Sequence, residues 1–328
     1  MEHKLVITPS PHIHSGESTS KIMWTVVWAM IPALLVGVYY FGLGAIQVTA
    51  VAVASVLFFE WAITKYMLKK TPTLMDGSAL VTGILLAMNL PSNLPVYMII
   101  IGAFAAIAIG KMSFGGLGQN LFNPALVGRV FLLISFPAAM TTWPTPKALT
   151  LIPDGTTGAT PLGIIKEGVR NGEKIPDLLE QMPSMFDMFL GNMGGSFGEI
   201  SAIAILLGLA FMMYKKVVSW HIPVSMVATV VLITGIMHMV DPDKYADPLF
   251  HVLTGGLLLG AVFMATDMVA SPMTQKGQLV YGVGIGIITV VIRLWGAYPE
   301  GVSFAILLMN GWSPLISRFM KPRRYGTK

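Results

Sequence analysis

Long apolar runs recur along the chain, separated by short polar segments. Ten can be distinguished, and several approach the roughly 20 residues that an α-helix needs to cross the hydrocarbon of a bilayer. The third run is short, contains Asn89 and ends at Pro91, so we expect a broken helix buried among its neighbours. The runs lie at about 23–41, 43–68, 78–91, 94–110, 121–137, 197–214, 217–240, 248–264, 279–296 and 301–319. The pattern predicts an all-α integral membrane protein with ten transmembrane helices.

Composition supports the same class. Of the 328 residues 54% are apolar and 11% are charged, against about 25% charged in an average soluble domain. The chain has no cysteine, so any iron–sulfur chemistry has to come from partner chains. The six histidines are scattered without metal-ligand spacing, and we expect neither a metal site nor a catalytic residue. The net charge of +5 comes from loops between apolar runs, which indicates membrane topology and no nucleic-acid partner.

Lysine and arginine predict the orientation. With a cytoplasmic amino terminus, fourteen of these residues, Lys111 among them, fall on inside segments and five on outside segments. Arg129 and Arg293 remain within runs, and we expect Arg293, near the outer end of the ninth run, to extend to water. Both termini should therefore be cytoplasmic, and the polar stretch 138–196 should lie outside.

Two pairs of short, similar segments suggest an internal repeat. Residues 82–86 resemble 254–258, and 120–124 resemble 310–314. A unit of five helices inverts the second copy and places functional sites near the midplane between the copies; chance similarity of apolar segments is the alternative. The predicted organisation is a cytoplasmic segment, a first repeat, an extracytoplasmic loop, a second repeat and a basic tail that contacts anionic lipid: 1–22, 23–137, 138–196, 197–319 and 320–328.

The outer loop contains a threonine-rich motif. Thr157-Gly158-Ala159-Thr160 follows Asp154 and precedes a proline. A threonine hydroxyl can be joined to the 5′-phosphate of FMN by a separate transferase, and Gly158 and Ala159 leave room for that enzyme. The residues alone leave two interpretations open, a flavin acceptor and a solvated turn supported by the hydroxyls and Asp154.

Ionisable side chains within apolar runs carry a functional hypothesis. Arg129, close to Asn120 and Asn123 in the sequence, suits the electron-rich edge of a flavin or a structural partner on another helix. Glu60 suits cation handling or a structural ion pair. Asp267, at the cytoplasmic end of the eighth run, suits a helix cap or an ion path.

Several segments together resemble the RnfD and NqrB family of flavin-bearing membrane subunits, over nearly the whole chain. They are 10–12, 19–23, Asp76-Gly77-Ser78-Ala79-Leu80-Val81-Thr82-Gly83, Gly115-Gly116-Leu117-Gly118-Gln119-Asn120-Leu121-Phe122-Asn123-Pro124-Ala125, Phe263-Met264-Ala265-Thr266-Asp267, 298–305 and 321–326. The length favours the RnfD branch. One departure is Ser317, where relatives tend to have an aspartate, so an ion-coupling role for that carboxylate does not transfer.

The resemblance implies a urea-transporter-like fold in the bacterial cytoplasmic (inner) membrane. It implies covalent FMN on Thr160 and allows a second, non-covalent flavin, riboflavin, between the repeats. The expected activity is electron transfer through the Rnf complex, in which ferredoxin-dependent NAD+ reduction drives export of Na+ or H+. Expected partners are the flavin transferase and the subunits RnfA, RnfB, RnfC, RnfE and RnfG, with RnfG nearest. A quinone-reducing NqrB-type subunit and a flavin-free solute channel are the alternatives.

Overall fold

The computed structural model describes residues 18–148 and 157–321, so Asp154 and most of the segments 1–22 and 320–328 lie outside the described residues. Most of the described chain is helical. Its first half comprises α1 (Thr19–Ala62), α2 (Ser78–Met88), α3 (Val96–Phe104), α4 (Pro124–Ser135) and α5 (Pro137–Met140). Single π-helical turns follow α1 and α3, at Ile63–Met67 and Ala105–Ile109, and short 3₁₀ turns lie at Leu74–Asp76 and Met112–Phe114.

The loop and the second half likewise combine short and long helices. Two-residue strands β1 (Trp143–Pro144) and β2 (Thr157–Gly158) precede α6 (Pro161–Arg170), α7 (Ile175–Leu179) and α8 (Met185–Leu190). The second half comprises α9 (Ala202–Tyr214), α10 (His221–Val240), α11 (Pro248–Leu253), α12 (Leu257–Leu259), a π turn at Gly260–Met264, α13 (Gln275–Trp295) and α14 (Val302–Phe319).

Four helical segments are long and apolar enough to cross a membrane: Thr19–Met67, Val96–Phe114, His221–Val240 and Gln275–Trp295. Three shorter apolar helices, α2, α4 and α9, accompany them. The architecture is consistent with an all-α integral membrane protein, as the apolar pattern predicts. Helix α2 is almost entirely buried, as expected of a helix too short to span the hydrocarbon by itself.

Helix α1 is interrupted at Gly42, between the first and second apolar runs. Gly42 has φ +57° and ψ −138°, a conformation that residues with a Cβ atom essentially do not adopt. The backbone on each side remains helical, so the single glycine divides 44 residues into two helical pieces. A second interruption separates α11 from α12, where Gly255 and Gly256 both have positive φ.

The two halves pack against each other through central helices. Helix α1 lies against α2 and α3 of its own half, and α10 and α13 form the largest contact within the second half. Contacts between α1 and α9, and between α4 and α14, join the halves. The apolar core runs through both halves without a break, so polar groups at the junction have to find partners there.

Replacing Gly42 with alanine tests the interruption of α1. The added Cβ makes the observed φ and ψ unfavourable, and we expect a loss of about 1–3 kcal/mol of stability. Thermal unfolding of the purified protein in detergent measures the change. Gly311→Ala is the matched control: Gly311 lies inside helix α14 and an added Cβ comes only within 3.7 Å of Phe122, so its stability should be unchanged or slightly higher. Equal effects at the two positions would contradict the assignment.

Candidate functional site

Thr160 lies at the start of helix α6. Its Oγ accepts a hydrogen bond from the Gly163 backbone N–H at 3.1 Å, so Thr160 is the N-cap, and Pro161 occupies the first helical position. The side chain is 6% exposed, whereas Thr157, Gly158 and Ala159 are exposed. The motif is therefore an ordered strand end and helix start, and not an open turn. The helix N-terminus supplies backbone N–H groups suited to a phosphate.

Short strands hold the motif in place. Gly158 pairs with Trp143 and Thr157 with Pro144 in an antiparallel bridge. Because Trp143 is buried, this pairing fixes residues 157 and 158 against the helical body. The proposed acceptor at position 160 consequently has a defined position relative to the membrane helices.

Thr160 and Arg129 line one cavity of about 200 Å³. Trp143 and Tyr298 contribute aromatic walls, and Glu300 lies beside the guanidinium. The cavity thus combines a helix N-terminus, a fixed positive charge and flat apolar surfaces. These are the groups that hold a phosphate and an aromatic ring system, so the residues present fit the flavin mononucleotide that the family resemblance implies.

Arg129 is buried and fully engaged with residues far from it in the sequence. Its Nη1 donates to Asn89 Oδ1 at 2.9 Å and to Ser303 Oγ at 2.8 Å, and its Nη2 forms an ion pair with Glu300. The sequence leaves two roles open for Arg129, contact with a flavin and pairing with another helix. The structure shows the pairing. The flavin-facing role stays a prediction, which the lining of the cavity supports.

Asn120, Asn123 and Asp267 line a different cavity from Arg129. Asn123 caps α4, accepting from the backbone N–H groups of residues 125 and 126, and its Nδ2 donates to Met264 O at 3.2 Å. Asp267 accepts from the Val269 N–H at 3.1 Å, a local turn contact. Arg129 follows Asn123 by about 9 Å of helix, so it borders the cavity of Thr160 and not that of the two asparagines.

Glu60 forms a buried ion pair with Lys111. Lys111 Nζ lies 2.8 and 2.7 Å from the two Glu60 carboxylate oxygens and 2.8 Å from Ser78 Oγ. Lys111 is 2% exposed, so this cation of a connecting segment is also the buried partner of Glu60. The cation lines the cavity of Asp267, whereas Glu60 lines a more open cavity beside it. The structural ion pair that the sequence allows for Glu60 is therefore formed, and a role of Glu60 in an ion path stays a prediction.

Two further charged side chains, Glu199 and Arg293, are buried, which was not predicted from the sequence. Glu199, in the loop before α9, accepts from the Ser196 N–H through Oε1, while its Oε2 has no hydrogen-bond partner within the described ranges. Arg293 is 5% exposed and donates to the carbonyls of His251, Thr254 and Gly255. The expectation that Arg293 extends to water was wrong. Helix α11 is interrupted, so the three backbone carbonyls at its end and just after it need hydrogen-bond donors, and the Arg293 guanidinium supplies them. Glu199 lies within the predicted apolar run 197–214, so its acidic side chain was a signal in the sequence that we missed.

Comparison with known proteins gives consistent matches. The family model described as NQR2, RnfD, RnfE matches residues 6–326. The chain is 46% identical to the D subunit of a proton-translocating ferredoxin:NAD+ oxidoreductase complex of Clostridium ljungdahlii, over 98% of this chain and 96% of that protein. It is also 46% identical to the Na+-translocating counterpart of Acetobacterium woodii, over 99% and 96%. The D subunit of an ion-translocating oxidoreductase complex of Stutzerimonas stutzeri is 40% identical, over 94% and 92%.

A double-substitution cycle tests the Glu60–Lys111 pair. Lys111→Met leaves a buried carboxylate without its cation, and we expect a loss of about 3–5 kcal/mol of stability. Adding Glu60→Gln removes the unpaired charge and should recover much of that loss. Thermal unfolding in detergent of Lys111→Met, of Glu60→Gln alone and of the double variant supplies the comparison. A double variant no more stable than Lys111→Met alone would show that the two side chains do not interact energetically.

Proposed function

The chain belongs to the NQR2, RnfD, RnfE family, and we propose that it is the D subunit of an ion-translocating ferredoxin:NAD+ oxidoreductase complex. In this role it carries electrons between the extracytoplasmic and cytoplasmic faces of the membrane while ferredoxin-dependent NAD+ reduction drives ion export. The observation that carries the proposal is the meeting of Thr160 and Arg129 at one aromatic-lined cavity. Near-complete coverage of relatives that are named as D subunits supports it.

Thr160 is the proposed attachment point of FMN through a phosphodiester on Oγ. The first turn of α6 directs backbone N–H groups toward that position, and Trp143 and Tyr298 offer apolar faces for a ring. When bound, the flavin supplies the redox chemistry, and the protein supplies position and electrostatics. Arg129 holds a positive charge beside the cavity, and its pairing with Glu300 fixes the guanidinium in that place.

The cavity of Asn120, Asn123 and Asp267 is the proposed place of the second, non-covalent flavin, riboflavin. Residues from both halves line it, including Leu85 of α2 and Phe263 of the second half, as a site between repeats requires. Asp267 and Glu60 remain the proposed ion-path carboxylates. Because Lys111 neutralises Glu60, cation transfer at Glu60 requires Lys111 to move away from it.

The other subunits of the complex would supply the functional sites that are not on this chain. We propose the subunits RnfA, RnfB, RnfC, RnfE and RnfG as partners, with RnfG nearest the Thr160 face, and a flavin transferase for attachment. The coupling ion is Na+ or H+, since the two relatives at 46% identity are named for different ions. A quinone-reducing complex is the second candidate only because the family name includes NQR2.

The proposed topology has ten crossings in two inverted five-helix repeats, with both termini in the cytoplasm. Every one of the ten apolar runs contains helical residues. The interruption at Gly42 falls between the first and second crossings. The interruption between α11 and α12 leaves helix ends within the apolar body, a feature of folds with inverted repeats. Thr160 then faces the extracytoplasmic side.

In-gel fluorescence tests the attachment. The protein is produced together with the flavin transferase, denatured and illuminated in the gel. We expect a fluorescent band for the natural sequence and none for Thr160→Ala, because the acceptor oxygen is gone. Thr160→Ser keeps a hydroxyl and is the matched control, which should remain fluorescent. A dark natural protein with an active transferase would favour the flavin-free channel, and fluorescence in Thr160→Ala would place the flavin elsewhere.

The absence of natural cysteine makes sidedness directly measurable. A single cysteine at Glu173, exposed in the loop after α6, should react with a membrane-impermeant maleimide in intact cells. A cysteine at Lys215, exposed after α9, should react only after the cells are lysed. The reverse pattern would invert the topology and move Thr160 to the cytoplasm, which would contradict the proposed location of the flavin.

A further inference from the structure

A second polar cavity lies next to the Thr160 site and is lined by basic side chains. Its volume is about 290 Å³. Lys166, Lys244, His251 and Arg293 line it, and no acidic residue does so within the described part of the chain. Pro299 borders both this cavity and that of Thr160, so the two share a wall, but Thr160 lines only its own. We call it the basic cavity.

Two buried nitrogens in the lining residues lack partners. Arg293 Nε and His251 Nδ1 have no hydrogen-bond partner among the residues that the structure describes, although both side chains are more than nine-tenths buried. Each can donate a hydrogen bond, and an unmade bond of a buried donor is costly. The other Arg293 nitrogens donate to the carbonyls of His251, Thr254 and Gly255. Because Arg293 and His251 both line the basic cavity, an acceptor there would lie beside these donors.

Lys166 has an unusual set of partners for a cation. Its Nζ donates to the carbonyls of Ile292 and Arg293 at 3.3 Å and of Tyr298 at 2.7 Å, at the end of helix α13. Within residues 18–148 and 157–321 these acceptors are all backbone carbonyls, and burial lowers the pKa of the ammonium group. A bound anion would oppose that effect and stabilise the charged form.

The remaining walls of the basic cavity are apolar. Leu162, Ile165 and Leu294 contribute aliphatic surface. Trp295, at the end of the apolar helix α13, is 62% exposed and lies beside the cavity, and Tyr245 also lines it. Tryptophan and tyrosine at the end of a spanning helix are typical of the headgroup region.

We propose that the basic cavity binds the phosphate headgroup of an anionic phospholipid, with the acyl chains against Leu294 and Trp295. The headgroup phosphate accepts from Arg293 and His251 and lies near the Lys166 and Lys244 ammonium groups. Free phosphate satisfies the polar half of the cavity but leaves the aromatic and aliphatic wall uncovered. The lipid satisfies both halves, which is why we assign the lipid.

Native mass spectrometry of the purified full chain tests the proposal. The protein is equilibrated in detergent with phosphatidylglycerol or with phosphatidylcholine of the same acyl chains. Lys244 is exposed, with its Nζ 5.7 Å from the centre of the Tyr245 ring, so Lys244→Gln should leave the fold unchanged. We expect this variant to bind phosphatidylglycerol about fivefold more weakly than the natural sequence, with phosphatidylcholine unaffected.

Lys215→Gln is the matched control. Lys215 is also exposed and its Nζ lies 5.8 Å from the Tyr214 ring, but it does not line the basic cavity. Retention of phosphatidylglycerol should be unchanged in this variant. Equal losses in the Lys215 and Lys244 variants, or equal retention of the two lipids by the natural sequence, would overturn the proposal.

Two further measurements distinguish a lipid phosphate in the basic cavity from inorganic phosphate and from the flavin phosphate. If inorganic phosphate displaces phosphatidylglycerol at the Lys244-dependent site, the site takes small anions and the lipid assignment is wrong. Thr160→Ala, which cannot carry a flavin on this residue, should retain the lipid as the natural sequence does. Loss of the Lys244-dependent lipid binding in Thr160→Ala would assign the basic cavity to the flavin phosphate. The lipid-binding measurement does not depend on whether the proposed redox role is correct.

Discussion

The buried guanidinium of Arg129 is the constraint on which the centre of the protein depends. A charge within an apolar helical body is tolerated only when it is paired and hydrogen-bonded. Arg129 meets this requirement with Asn89 of its own half and with Glu300 and Ser303 of the other half. The halves can therefore separate only if a buried ion pair is broken. The same side chain forms a wall of the Thr160 cavity, so the joint between the halves and the proposed redox site share one residue.

The polar chemistry of helix α4 lies at its start and near its middle. At its start, Asn123 caps the helix and borders the cavity that contains Asp267. Less than two turns later, Arg129 borders the cavity of Thr160. The helix thus separates two sites that lie close together in the sequence. The intervening residues of α4 are largely apolar and buried.

Much of the helical framework could be predicted from the apolar pattern, because burial in lipid demands long apolar stretches. The interruption at Gly42 falls between two predicted runs, and the shortness of α2 follows from Asn89 and Pro91. The partners of the charges could not be predicted in this way. Lys111 meets Glu60 across 51 residues, and Arg129 meets Glu300 across 171. Hydropathy describes one residue's preference for its surroundings and contains no information about which distant group compensates it.

The N-cap bond of Thr160 affects when a modifying enzyme can act. Thr160, whose hydroxyl would receive the phosphate, is 6% exposed, and its Oγ already accepts from the Gly163 N–H. An enzyme that attaches a nucleotide needs the oxygen to be free and accessible, so the β1–β2 pairing has to open or form afterwards. Flavin attachment at this position would then compete with docking of the loop, because a chain that has closed unmodified must reopen before the oxygen can react.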